Sequence, residues 1–361
     1  MKSLQTLVPS AAVLLAAAMG FAAAQKLPKP VRVWSVGPLT KSEPVMGISF
    51  GASGATVTAP HVDSQTRSIF SATRSIVFAG DRIVLVSMIG IRRVEGAQAP
   101  ESVYQLVSLD SKTGKVKDTR QISGFGSAPV FATTDGQIIV AGRSLMKITP
   151  DLKDAGSFDY HSTCHKFGSV ENKSTDGSTL GNSTSPGFEL IDTSTLKATQ
   201  LTSEPSYATS VSNKGFVTNN VRWNGYPADV GFVSYTDATG SHHLYHGDCS
   251  GRPQFLTDDL IFVPGCQRPV IIDTRGKLVR TLHLSGGSSY AGVSQNGKRF
   301  ALQIFSGKEE RFTIYSVETG EPIAEVRPDE VAEEQSWTAF SSDASFFVVG
   351  SPLKLTLYRL P

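Results

Sequence analysis

The chain has 361 residues and nearly balances 34 Lys and Arg against 32 Asp and Glu, with no basic stripe of the kind that nucleic-acid binding by counterion release requires, so no nucleic-acid partner is expected. Its 33 Gly and 19 Pro, with abundant Ser, Thr and Val, suit many short strands joined by tight turns and not long helices. An all-β chain is therefore expected, long enough for two ordinary domains or for one domain built from repeats.

Lys2 precedes an apolar stretch from Ala11 to Ala24, which ends in Ala22-Ala23-Ala24 before the polar Gln25 and Lys26. The stretch is short for a bilayer span and its small-residue end forms an A-x-A cleavage site, so residues 1–24 read as a signal peptide and residues 25–361 as one mature domain. No Cys lies beside the cleavage site and no later run is long and apolar enough to cross a membrane. The expected product is exported, periplasmic or extracellular, and not membrane-inserted after processing. Val31 to Val36 then alternates apolar and polar residues as an orphan strand with no hairpin partner nearby. A long loop over residues 37–68 follows.

From there a phrase recurs: an apolar run, Ser or Thr, one residue, Asp or Asn, a small residue and a second apolar run. It is clearest in VSQNGKRFAL and FSSDASFFVV and looser in VFAGDRIVLV, VFATTDGQIIV, GSVENKSTDGSTL, TSVSNKGFV and QFLTDDLIFV. Asn-Gly and Asp-Gly supply the positive φ of a tight hairpin, so each phrase reads as strand, turn, strand. The seven inner turns fall at Asp81, Asp135, Asp176, Asn213, Asp258, Asn296 and Asp343, with Asn172 an alternative to Asp176 in the third. A second phrase interleaves, as in LVSLDSKTGKV and FTIYSVETGEPIAEV, with outer turns at Asp110, Asp151, Asp192, Asp237, Asp273 and Glu318. The chain stops at KLTLYRLP, where a seventh outer turn would begin. Lys354 to Leu360 thus needs a partner, and Val31 to Val36 is available to pair with it, with Val31 and Val33 contributing apolar area to a closed ring.

With its period near 40 residues, its S-x-D/N-G inner turns and its D-x-x-T-G outer turns, nearly the whole mature chain resembles the seven-bladed β-propeller superfamily that includes WD-repeat, YVTN-type and quinoprotein amine dehydrogenase heavy-chain-like proteins. The resemblance implies an all-β ring of seven four-stranded antiparallel blades, closed between the N-terminal and C-terminal strands. The ambiguous third turn leaves six- and eight-bladed rings as alternatives. The Trp-Asp and Gly-His dipeptides of WD repeats are absent. The motifs identify a fold and not a function.

Among chemistry-bearing residues, Cys164, Cys249 and Cys266 enter a compartment that permits disulfides. Cys249 with Cys266 is the expected pair, and Cys164 with Cys249 the alternative. The clusters His161, Cys164, His165 and His242, His243, His246 lack established metal spacing, and neighbouring strand residues point to opposite faces, so no metal site and no cofactor is expected. The carboxylate pairs Asp258-Asp259, Glu309-Glu310 and Glu333-Glu334 fall in turns or polar links, and without a G-x-S-x-G elbow no catalytic residue is assigned. Tyr207, Tyr290 and Trp337 start innermost strands near one channel mouth, where they serve either an aromatic ligand site or inter-blade packing.

Extra length collects from Pro38 to Ser68, Gly90 to Glu101 and Trp223 to Asp229, all in connections expected on the face opposite the counted turns. These carry His61 and Asp63; Arg92, Arg93 and Glu95; and Trp223, Asn224, Tyr226 and Asp229. The expected function is that of a monomeric binding scaffold for a protein, peptide or glycan, the alternative being a propeller-type lactonase, lyase or glycan hydrolase with its site at the channel mouth.

Overall fold

The computed structural model describes residues 27–36, 48–51, 54–57, 73–92, 101–123, 129–141, 145–158, 169–184, 187–204, 208–221, 231–247, 252–264, 268–284, 287–306, 309–328, 337–350 and 354–361. Their strands form seven four-stranded antiparallel sheets, and no helix occurs among the described residues. The chain is a seven-bladed β-propeller. The innermost strands, in blade order, are Thr73–Ala79, Val130–Ala132, Ser169–Lys173, Ser210–Val211, Gln254–Thr257, Gly287–Val293 and Trp337–Phe340. Each counted inner turn joins the first and second strands of a blade, and each outer turn the third and fourth. In blade three the turn is at Asp176, and Asn172 lies within the preceding strand. Inside the segment expected to be a loop before blade one, Ile48–Gly51 and Gly54–Val57 form a two-stranded hairpin.

Val31–Val36 pairs antiparallel with Leu355–Arg359 and becomes the outermost strand of blade seven. The pairing skips Val33, between Arg32↔Tyr358 and Trp34↔Leu357. This bulge breaks simple alternation, and it corrects the residues expected to pack: Val31 and Val33 are 55% and 41% exposed. Trp34 packs instead, against the cluster in which Ile83 and Leu109 of blade one meet Val348 and Leu357 of blade seven. Its indole N–H donates to the Ser111 carbonyl at 2.8 Å. Blade one's outer turn accommodates the ring through Gly114, which has φ +70 and where a Cβ would lie 2.9 Å from Trp34.

The apolar core is divided among the blade interfaces, because each blade has two apolar faces and neighbours cover both. Blades three and four meet through Phe188 and Phe216, with ring centroids 4.2 Å apart. Phe262 and Phe300 join blades five and six, and Phe312 and Phe347 join six and seven. Elsewhere aliphatic side chains do this work, as with Leu106 and Val140 between blades one and two.

The repeated turn has a specific chemistry. The first hydroxyl donates to the carboxylate or amide two residues on, in Ser174–Asp176 at 2.7 Å, Ser294–Asn296 at 2.8 Å and Ser341–Asp343 at 2.6 Å. The same oxygen accepts the N–H that closes the loop, from Thr179 at 3.0 Å, Arg299 at 2.9 Å and Phe346 at 2.9 Å. Gly136, Gly177 and Gly297 take the required positive φ, and Ala344 takes it in blade seven at 65°. Burial alone would raise the carboxyls of Asp135, Asp176 and Asp343, but hydrogen bonds from neighbouring hydroxyls and backbone N–H groups, with Lys147 on Asp135, outweigh it and hold all three below 3.8.

Two outcomes are expected. Trp34→Ala should destabilise by about 2–4 kcal/mol, and Val33→Ala by under about 0.5 kcal/mol, read from denaturant midpoints; equal effects would contradict the bulged register. Carboxyls depressed in the folded state give stability that is complete above the unfolded value near 3.9 and is lost as pH falls through the folded values. The melting temperature should therefore be level between about pH 5 and 7 and fall below about pH 4. A melting temperature independent of pH down to about 2 would contradict this account.

Candidate functional site

The seven innermost strands surround an axial cavity of about 250 Å³. Each of these strands has an edge facing the axis with no further strand to pair with, and side chains bridge the gaps. Asn172 Nδ2 donates to the Ala208 carbonyl at 3.1 Å, linking blades three and four. Thr209 Oγ1 donates to the Pro253 carbonyl and Gln254 Nε2 to the Thr209 carbonyl, both at 3.1 Å, while the Phe255 N–H donates to Ser210 Oγ at 3.0 Å, linking blades four and five. Thr338 Oγ1 donates to the Ala291 carbonyl across blades six and seven. The rest of the wall is largely apolar and includes Phe78, Phe131, Phe255, Tyr290 and Phe340.

Blade three's inner turn reaches over the axis. Thr175 Oγ1 donates to the Phe255 carbonyl of blade five at 3.3 Å, and Gln295 of blade six donates through Nε2 to the Asp176 carbonyl. Gly177, at φ +79, lies against blade two so closely that a Cβ would collide with the Ala132 carbonyl. The Asp176 carboxylate accepts from Ser174, Ser178 and, at 3.0 Å, Asn213 Nδ2, which also donates to Asp258 at 2.9 Å. These contacts hold one turn against blades two, four, five and six and narrow the channel at the turn face.

Lys173, the residue before this turn, lies in the cavity wall. Its Nζ donates to the carbonyls of Ser174 and Thr175, each at 3.2 Å. Withdrawal from bulk water pushes the ammonium down to about 8, with the charge of Asp176 opposing. Sequence reading missed Lys173, although the repeat carries its signal. In the equivalent position before the turn hydroxyl, blades two, six and seven have Ala132, Val293 and Phe340.

Of the three aromatics expected at the channel mouth, Tyr290 lines the cavity and stacks on Phe262 at 6.2 Å, and burial pushes its hydroxyl up. Trp337 packs against the cluster between blades seven and one. Tyr207 lies outside the described residues, as do Cys164, Cys249, Cys266, His61, Asp63, Arg93, Glu95, Trp223, Asn224, Tyr226 and Asp229. Arg92 is the last residue of strand Arg82–Arg92, paired with Glu101 at the end away from the turns. His242 contacts Thr239 and Asp237, whereas His243 contacts Ser234 and, with His246, the Phe232 ring. No three His, Cys, Asp or Glu side chains gather as a metal site among the described residues. Asp258 and Asp259 diverge, the first to Asn213 and the second toward Lys214 at 3.8 Å.

No family model and no curated protein matches the chain. Among solved structures, one described as the structure of Dos1 propeller is similar over 80% of this chain and 92% of its own, with 12% identity and a TM-score of 0.43.

Because Gly177 combines a positive φ with backbone contact across the axis, Gly177→Ala should destabilise by about 2–3 kcal/mol in denaturant titration. Gly136→Ala shares the positive φ but meets nothing within 4 Å, so it should cost about 1 kcal/mol. Equal losses would show that the turn does not span the axis as described.

Proposed function

We propose that the chain is an exported binding scaffold whose partner, a protein, peptide or glycan, docks on the face opposite the counted turns. The observation that supports this reading is the asymmetry of the two faces. On the turn face the connections are short and fixed by hydroxyl–carboxylate pairs, and blade three's turn crosses the axis. On the other face the strands ending at Val36, Arg92, Phe158 and Val221 hand the chain to connections 37–72, 93–100, 159–168 and 222–230. The third of these carries His161, Cys164 and His165. A rigid ring fixes where such connections start and end, while their length and composition change without disturbing blade packing. They carry Arg93, Glu95, Trp223, Asn224, Tyr226, Asp229, His61 and Asp63, with Arg92 ending the strand before the second of them, and Trp, Tyr and Arg are the residue types that dominate binding hot spots. Binding is preferred to hydrolysis because the axial cavity wall, among the described residues, brings a lysine but no carboxylate or imidazole.

The export reading rests on the apolar run to Ala24 and its small-residue end. N-terminal sequencing of the protein recovered outside the cytoplasm should begin at Gln25, and an intact Met1 start would reject it. For binding, the mature chain would be screened on peptide and glycan arrays, and any hit retested with Arg92→Ala, Arg93→Ala, Trp223→Ala and Tyr226→Ala. A loss of about tenfold or more in this group, with Arg275→Ala and Lys277→Ala of the opposite face unaffected, is expected. The reverse pattern would place the docking surface on the turn face.

A further inference from the structure

Lys173 is the residue of the cavity wall that packing does not explain. The positions equivalent to it in blades two, six and seven are apolar, and an apolar side chain there would complete the wall without desolvating a charge. Lys147, which is buried, shows how this fold accommodates an enclosed ammonium. It pairs with Asp135 at 2.9 Å and donates to the Thr193 carbonyl at 3.0 Å. Lys173 has only the two carbonyls of its own turn, and among the described residues no carboxylate comes within ion-pair distance. Asp176 acts on it through space while Ser174, Ser178 and Asn213 occupy its oxygens. Lys173 is only partly buried and lines the cavity.

The remainder of the chamber suits the uncharged part of a ligand. Its part-exposed apolar side chains are Tyr290 and Val293 of blade six and Ala339 of blade seven, whereas Phe131, Phe255 and Phe340 are at most 8% exposed and packed between blades. The volume of about 250 Å³ exceeds the roughly 150 Å³ that admits benzene to an apolar cavity, leaving room for an attached polar group. The turn that follows Lys173 is held from several sides, through Thr175 to blade five, Gln295 to Asp176 and Gly177 against Ala132. The ammonium is thus presented from a fixed backbone, as a preorganised site requires. Asn172, Gln254 and Thr338 of the wall are engaged in bridging blades, so a chamber with a single cation among its described wall residues suits an anion with an uncharged body.

We propose that the axial cavity binds a small carboxylate whose apolar body is about the size of a benzene ring, with the carboxylate on Lys173 Nζ and the body against Tyr290, Val293 and Ala339. This site is separate from the face proposed for the larger partner and does not rest on it.

Calorimetric titration of the mature chain with benzoate, and with benzyl alcohol as its uncharged counterpart, tests the proposal. Benzoate should bind saturably at one site and about tenfold or more tighter than benzyl alcohol at pH near 7. Its affinity should fall as pH rises beyond about 8, where Lys173 loses its proton. Of the other titratable groups at the cavity, Asp176 is held ionised and Tyr290 is held neutral over that range. Lys173→Met should weaken benzoate about tenfold or more and leave benzyl alcohol unchanged, whereas Trp223→Ala and Tyr226→Ala should leave both unchanged. The comparison of two probes and two pH values on the unsubstituted chain decides the matter even if Lys173→Met does not fold. Absence of saturable benzoate binding, equal affinity for the two probes, unaltered affinity in a folded Lys173→Met chain, or loss in the far-face variants would each overturn the proposal.

Discussion

The ring depends on the antiparallel pairing of Val31–Val36 with Leu355–Arg359. Every other blade is a run of four consecutive strands, so its hydrogen bonds form locally. Blade seven is assembled from both ends of the chain. Its closing strand covers the edge of Leu355–Arg359, and Trp34 carries the contact onward to Ser111 and Gly114 of blade one. Since each apolar face is buried against a neighbour, one missing outer strand would leave both an open edge and an uncovered interface.

The axis poses a second problem, which is met differently. Seven strand edges face it, and among the described residues no further strand pairs with them. Side chains such as Asn172, Thr209, Gln254 and Thr338 bridge the edges by donating to carbonyls of the adjoining blade. Blade three's turn then crosses the remaining space near the turn face. The polar side chains of the wall are thereby largely committed to structure, which sets Lys173 apart and directs attention to it as the group with chemistry to offer a ligand.

The two faces differ because the turns and the far connections experience different constraints. An inner or outer turn must reverse the chain within a few residues and fit beside the neighbouring blade. Gly114, Gly177 and Gly276 illustrate this, since a Cβ at any of them would meet Trp34, Ala132 or Leu244. Connections between second and third strands, and between blades, start and end at the opposite strand ends. Loops on a rigid scaffold in general tolerate substitution and insertion and often carry binding residues.

Much of this architecture was legible in the sequence because it is set by local chemistry. Ser174 with Asp176 and Ser341 with Asp343 write their turns within five residues, and each outer turn carries its own acidic or Thr-Gly mark, so blades could be counted before any contact was known. The missing seventh outer turn even indicated which strands must meet. Which face of Val31–Val36 packs was decided by the bulge at Val33, a product of pairing with a strand more than 300 residues away. The crossing of the axis by residues 175–177 was likewise decided by partners in blades two, five and six. Lys173 was visible as a charge at an apolar position of the repeat, but its site exists only where seven strands converge. Turn chemistry acts over a few neighbouring residues and is written in sequence order, whereas a cavity and the burial of a charge are properties of groups that only the closed ring brings together.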